Sequence, residues 1–192
     1  MMLPKHLPAS ARAAVPWKNG GGITREVARD VQSGSDGTFR WRVSIAEVSK
    51  EGPFSRFPGY RRIISVIRGQ GMELREAGRG ATVLQPFHPY AFDGDADVYG
   101  ALPSGPVSDL NVIFQPRAVR ASMHFTEQGG EFRAETDSTM LILNMDPRAL
   151  ECSAGGQYMF LAGWDAVLAT SGMALSFPAG VRCAVITLGS RS

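Results

Sequence analysis

The chain has 192 residues, 44% of them apolar and 20% charged, with a formal net charge of +2. That length holds one large domain or two small packed ones, and the balance excludes a mainly disordered chain. No run approaches the roughly 20 apolar residues of a membrane helix, and the basic residues are scattered instead of clustered, which argues against nucleic acid as a partner.

The N-terminal stretch carries no continuous apolar segment of the secretory kind, and the expected location is the cytoplasm. Leu3 to Pro16 shows prolines and alanines without periodicity and reads as an arm around the body. WKNGGGITREVA, Trp17 to Ala28, combines a tight turn at its glycines with the start of a strand. Those glycines lack the GK[ST] ending of a phosphate-binding loop, although bare N–H groups there would suit an anion. After a hairpin-like connection at Gln32 to Gly37, FRWRVSIAEV sets Phe39, Trp41, Val43 and Ile45 against Arg40, Arg42, Ser44 and Ala46 with the period of a strand.

Further strands are expected at Arg62–Arg68, Met72–Glu76, Ala81–Leu84, Tyr90–Phe92, Val98–Ala101 and Leu110–Phe114. In the second half they fall at Ala121–Thr126, Glu131–Ala134, Thr139–Met145, Tyr158–Ala162, Val167–Thr170, Met173–Ser176 and Ala184–Leu188. Short helical turns are expected only at Asp146–Glu151 and near Gly105–Asp109. Many short strands separated by Gly/Pro turns predict an all-β barrel or sandwich. Cys152 and Cys183 are too few for a disulfide framework and read as buried, reduced thiols.

Spacing sharpens this. Gly52 and Gly71 frame a segment that resembles the first motif of the cupin family, with Pro58, Tyr60 and Ile64 where metal ligands stand in that motif. Gly80, Pro86, His88, Ala91 and Asp95 follow the second motif, and Gly172, Pro178, Gly180, Cys183 and Thr187 repeat its spacing about ninety residues later. The resemblance implies an all-β double-stranded β-helix, a bicupin of two barrels, with expected boundaries at 1–118, including the arm, and 119–192. Longer strings at 17–28, 41–74 and 92–114 resemble the HutD/Ves family of small bicupins linked to bacterial histidine utilisation. That likeness implies a double cupin without metal or other cofactor and without an established reaction. It further implies a role in binding a small acidic metabolite, N-formylglutamate or urocanate among the candidates, and in restraining expression of the pathway.

Metal ligation needs three or four converging His, Cys, Asp or Glu side chains. His6, His88 and His124 form no such pair, so no metal site and no catalytic residue is assigned, and His88 reads as a surface turn residue. If Tyr60 and Ile64 face the barrel interior, strand parity turns Arg62 and Val66 the same way. A buried arginine needs a partner. Either it forms a structural salt bridge to Asp109, or its planar guanidinium grips a ligand carboxylate.

Asp109 and Asn111 share one strand face, so an acid and an amide line the same side. Asn19, Thr24 and Arg25 are expected at the rim, and Trp17, Phe54, Tyr60 and Phe92 as an aromatic wall or simply as core. The leading expectation is a small-carboxylate binder, monomer or homodimer. Its rivals are a cupin enzyme, either a metal-free isomerase or epimerase or one with an unmatched metal site, and an interaction scaffold with no enclosed cavity.

Overall fold

The computed structural model describes residues 4–31, 38–154 and 156–191. The hairpin connection expected at Gln32 to Gly37 lies outside them. Strands dominate, and the only helical element among the described residues is one 3-10 turn, Ala9–Ala11. In chain order the strands open with β1 (Lys5–Leu7), β2 (Ala14–Pro16), β3 (Gly22–Val31) and β4 (Phe39–Val48). There follow β5 (Gly52–Pro53), β6 (Arg61–Arg68), β7 (Met72–Glu76), β8 (Gly80–Leu84), β9 (Tyr90–Asp93), β10 (Val98–Ala101) and β11 (Val107–Phe114). The remainder are β12 (Val119–Thr126), β13 (Gly130–Arg133), β14 (Ser138–Asn144), β15 (Leu150–Ala154), β16 (Gln157–Leu161), β17 (Ala166–Thr170), β18 (Ala174–Phe177) and β19 (Cys183–Ser190).

Two compact units result, one of residues 13–117 and one of residues 1–12 with 118–192. In the first, a sheet in the order β2-β3-β4-β11-β6-β9 faces one in the order β5-β10-β7-β8. In the second the orders are β1-β17-β14-β19-β12 and β13-β18-β15-β16. Adding eight to each strand number converts β4-β11-β6-β9 into β12-β19-β14-β17, and β5-β10-β7-β8 into β13-β18-β15-β16. The chain is thus a duplicated eight-strand jelly roll, the cupin double-stranded β-helix, with β2 and β3 extending one copy and β1 the other.

This topology corrects the repeat drawn from the glycine and proline spacings. The segment from Gly80 to Asp95 covers β8, its turn and β9, whereas that from Gly172 to Thr187 covers β18, its turn and β19. The true counterpart of the β8–β9 turn is the β16–β17 turn. Both place an aromatic residue in the left-handed region there, Phe87 at φ 64° and Trp164 at φ 70°. A Pro-x-Gly turn serves any tight connection between strands, so its spacing found a second turn between the sheets but the wrong one.

Three local expectations also change. The start of the arm belongs with the second unit instead of the first, because Lys5–Leu7 pairs with Leu168–Ala166 of β17. His6 Nε2 lies 2.7 Å from Asp165 Oδ2, and Asp165 Oδ1 accepts from Ala9 N at 2.7 Å, which ties down the chain after the strand. The helical turn expected at Asp146–Glu151 runs into β15, which buries Leu150, Cys152 and Ala154 in alternation, and that expected at Gly105–Asp109 becomes the beginning of β11.

Core composition separates the copies. The second unit is filled by apolar groups, including Met140, Ile142, Leu150, Leu161, Cys183 and Val185, with Phe132 and Phe177 stacked 4.7 Å apart. Burial pushes the Cys152 and Cys183 thiols up, to about 11 and 12, so both are inert neutral groups at neutral pH. The first unit has a smaller apolar cluster of Ala46, Val48, Ile64, Val66, Met72, Leu74, Leu84, Phe92, Val98 and Val107. The space beside that cluster is the site.

Candidate functional site

Register decides what shares the interior of the first barrel. Across β4, β11 and β6 one row reads Arg42, Ile113, Arg62; the next reads Ser44, Asn111, Ile64; the third reads Ala46, Asp109, Val66. Thr24 of β3 lies beside Ala46 and continues the third row. Successive rows on one face are about 7 Å apart. Polar and charged side chains thus occupy an inward face that in a filled barrel would be apolar.

They line a cavity of about 540 Å³, completed by Trp17, Lys18 and Asn19 from the β2–β3 loop and by Phe54, Ser55 and Phe57 after β5. The loop is held by Trp17 N donating to Gly22 O at 2.9 Å and Gly20 N to Trp17 O at 3.0 Å. Gly21 N donates to Asn19 Oδ1 at 3.0 Å, and Trp17 Nε1 to Thr24 Oγ1 at 2.8 Å. These bonds occupy the N–H groups of Gly20 and Gly21, so those two amides do not cradle an anion. Gly22 is required for a different reason: a Cβ there would meet Glu47 O at 2.5 Å and the Trp17 ring at 3.1 Å.

Arg62 is 4% exposed. Its guanidinium lies 5.0 Å from the ring centres of Phe54 and Phe92 and 5.6 Å from that of Phe57, and Nη1 donates to Ser55 O at 3.2 Å. No carboxylate of the described residues stands within ion-pair distance of it, so the salt bridge to Asp109 does not form. Burial lowers its pKa to about 10, a fall that Asp109 opposes and Arg42 reinforces.

Arg42 sits 5.2 Å over both Phe39 and Phe57, and burial is the main cause of its lowered pKa. Asp109, 1% exposed, has its carboxyl pushed up to about 7 by burial, against the pull of Arg62. Arg42 Nε, Arg62 Nε, Asp109 Oδ1 and Asn111 Oδ1 are all buried with no hydrogen-bond partner among the described residues. Among the described residues the only other such side-chain atom is Arg12 Nε, in the other unit. Buried groups of this kind are costly unless a partner arrives. Their convergence on one cavity makes it the candidate binding site.

Of the residues singled out in the sequence, Trp17, Asn19, Thr24, Phe54, Arg62, Asp109 and Asn111 line this cavity. Arg25 does not. Its neighbour Thr24 takes the inward side, and Arg25 pairs with Glu47 on the other face. Tyr60 does not line it either: its hydroxyl donates to Phe39 O at 2.9 Å and accepts from Gln115 Nε2 at 3.1 Å, and its ring packs on Phe39. Phe92 supports Arg62 from the core.

Arg42, Ser44, Ser55, Phe57 and Lys18 were not assigned from sequence. Arg42 and Ser44 stood on the polar side of an alternating strand, which composition assigns to solvent. Pairing of Ser44 with Asn111 is the signal that would have turned them inward.

The cupin fold raises the question of a metal, and the residues at the motif positions do not fit one. Tyr60 is held outside the cavity, Ile64 is core and Pro58 and Ala91 offer no donor side chain. Among the described residues no group of three or more His, Cys, Asp or Glu gathers as a metal site would require. His88 is exposed, with Nδ1 2.9 Å from Pro86 O. No helix among the described residues is long and apolar enough to cross a membrane.

Comparison with known proteins places this geometry in a family. The HutD family profile matches residues 9–187. An uncharacterized 21.2 kDa protein in the hutC 3' region of Pseudomonas putida is 39% identical over 143 residues, 74% of each chain. Two solved structures are each 33% identical over 99% of this chain and 100% of theirs: the conserved protein of unknown function PA5104 from Pseudomonas aeruginosa PAO1, TM-score 0.86, and HutD from Pseudomonas fluorescens SBW25, TM-score 0.84. The fold alone is shared more widely, as with the bacterial pirin YhhW from Escherichia coli at 9% identity and TM-score 0.67. By profile and by identity across nearly its whole length, the chain belongs to the HutD family.

Proposed function

We propose that the first barrel binds a small carboxylate metabolite and that the protein acts as an accessory or regulatory factor of histidine utilisation. The observation that carries this reading is Arg62, a buried guanidinium among three aromatic rings with, among the described residues, an unpartnered Nε and no carboxylate in ion-pair contact. A carboxylate oxygen offers the missing acceptor and a compensating charge, and an arginine meets it with two parallel donors. Arg42 adds a second positive charge on the same row, and Lys18 lies at the mouth, where it would draw anions inward. Family membership and the hutC-linked relative make histidine-degradation acids, N-formylglutamate or urocanate, the first ligands to test.

The experiment is a thermal-shift titration with N-formylglutamate, urocanate, glutamate and histidine, on the native chain and on Arg62→Met. A site filled to about 100 times its dissociation constant adds roughly 2.7 kcal/mol, a rise on the order of 5 to 10 °C for a chain of this size. The reading predicts that rise for at least one acid and its loss in Arg62→Met. Equal shifts in both proteins, or none with any acid, would overturn it.

A second reading draws on Asp109, a cavity carboxyl with a pKa raised to about 7, the range of a general acid or base. It predicts exchange of ligand C–H protons with solvent deuterium, seen by NMR, that stops in Asp109→Asn. A ligand recovered unchanged and without deuterium would exclude this isomerase-like chemistry for that ligand.

A further inference from the structure

The carboxylate-binding reading uses one end of the cavity and leaves the other unexplained. Arg42 and Arg62, with their unpartnered Nε donors, share the row at the Ile113 end. Asn111 and Asp109 occupy the two rows below, one and two rows away along β11 respectively, and each has a buried oxygen with no donor among the described residues. One row is about 7 Å, so a lone carboxylate held by the arginines does not also reach the Asp109 row. Nor does it supply a donor to Asp109, which in its ionised form only accepts. Two ionised carboxylates brought together in a dry cavity would repel.

Resting on that reading, we infer that the site recognises a bipolar ligand, an acid that carries, one to two strand rows from its carboxylate, an N–H or O–H donor accepted by Asp109 and flanked by Asn111. Arg42 and Arg62 fix the anionic end, and Asp109 selects among acids by what their far end donates. The interior charges that set this polarity come from separate strands, Arg42 from β4, Arg62 from β6 and Asp109 from β11, with Lys18 at the mouth on the β2–β3 loop. The polarity is therefore built into the sheet. Burial pushes the Asp109 carboxyl up to about 7, and a ligand donor bonded to it would favour its charged form.

The test uses two acids of nearly identical shape, 6-acetamidohexanoate, whose extended chain sets an amide N–H about one strand row from the carboxylate, and 6-acetoxyhexanoate, whose ester oxygen replaces it. Both are titrated calorimetrically into the full chain and into Asp109→Leu and Arg62→Met. The inference predicts that the native protein binds the amide about tenfold or more tightly than the ester, as for a donor lost opposite a charged acceptor. In Asp109→Leu, which keeps the branched shape but offers no acceptor, the ratio falls to near one, while Arg62→Met loses both ligands. Equal affinity of the native protein for both acids, with both lost in Arg62→Met, would overturn the inference and leave the carboxylate reading intact. Failure of both acids to bind the native protein would overturn the two together. The native-protein ratio decides the matter even if Asp109→Leu fails to fold.

Discussion

Asp109 links the site to the stability of the fold. Its carboxyl holds a proton up to about pH 7 in the folded chain, whereas the ordinary aspartate value is 3.8. Between those values the folded state binds more protons than the unfolded one, so the stabilisation is fully present below about pH 4 and is lost as pH rises through 7. The ligand-free protein is predicted to be less stable at pH 8 than at pH 5 by about 3 kcal/mol from this group. Asp109→Asn should flatten that slope, as read from urea midpoints at the two pH values. An identical slope in both proteins would show that Asp109 is not protonated by burial. The lowered carboxyls of Asp146, held by Arg148, and of Asp165, held by Ala9 N and His6 against the opposing effect of burial, titrate in a lower window and do not mimic the effect.

At the scale of the strand, the cavity depends on how closely its walls are packed. Gly100 of β10 lies behind Phe54: a Cβ there would meet the Phe54 ring at 2.6 Å and Met72 Sδ at 3.3 Å. Gly100→Ala is predicted to push Phe54 from under the Arg62 guanidinium, at a stability cost of about 1–3 kcal/mol and with weakened carboxylate binding. Unchanged affinity and melting temperature would contradict that packing. The same scale shows what could be read in advance. Strands β7 and β10 were placed to the residue because each stands between glycine or proline turns with clear apolar content.

Arg62 was found by parity, although all six residues from Arg62 to Ile67 are buried and the strand reads as continuous. The three-residue β1 and β2 escaped because short edge strands carry too few side chains for a period. β15 escaped because a Pro147 turn precedes it and hides the alternation of Leu150, Cys152 and Ala154. Arg25 was misplaced and Arg42 missed for a common reason. The side of a strand that faces a polar cavity looks, in composition, like the side that faces water.

Across the whole molecule, one fold appears twice with opposite interiors. By register, the positions of Arg62, Asn111 and Asp109 in the first barrel correspond to Met140, Val185 and Cys183 in the second. Apolar side chains fill the second interior, while charged and polar ones line the cavity of the first, and the proposed function assigns binding to the first half alone. Ile142→Ala in the second barrel is accordingly predicted to cost about 2–5 kcal/mol of stability and to leave ligand affinity in the first unchanged. A parallel loss of affinity at a temperature where the variant remains folded would contradict that division. The most direct measurement is a crystal structure of the chain grown with the acid that gives the largest thermal shift. The account predicts that acid inside the first barrel, with its carboxylate in hydrogen-bond contact with the Arg62 guanidinium. Density for the acid elsewhere, with only water beside Arg62, would contradict it.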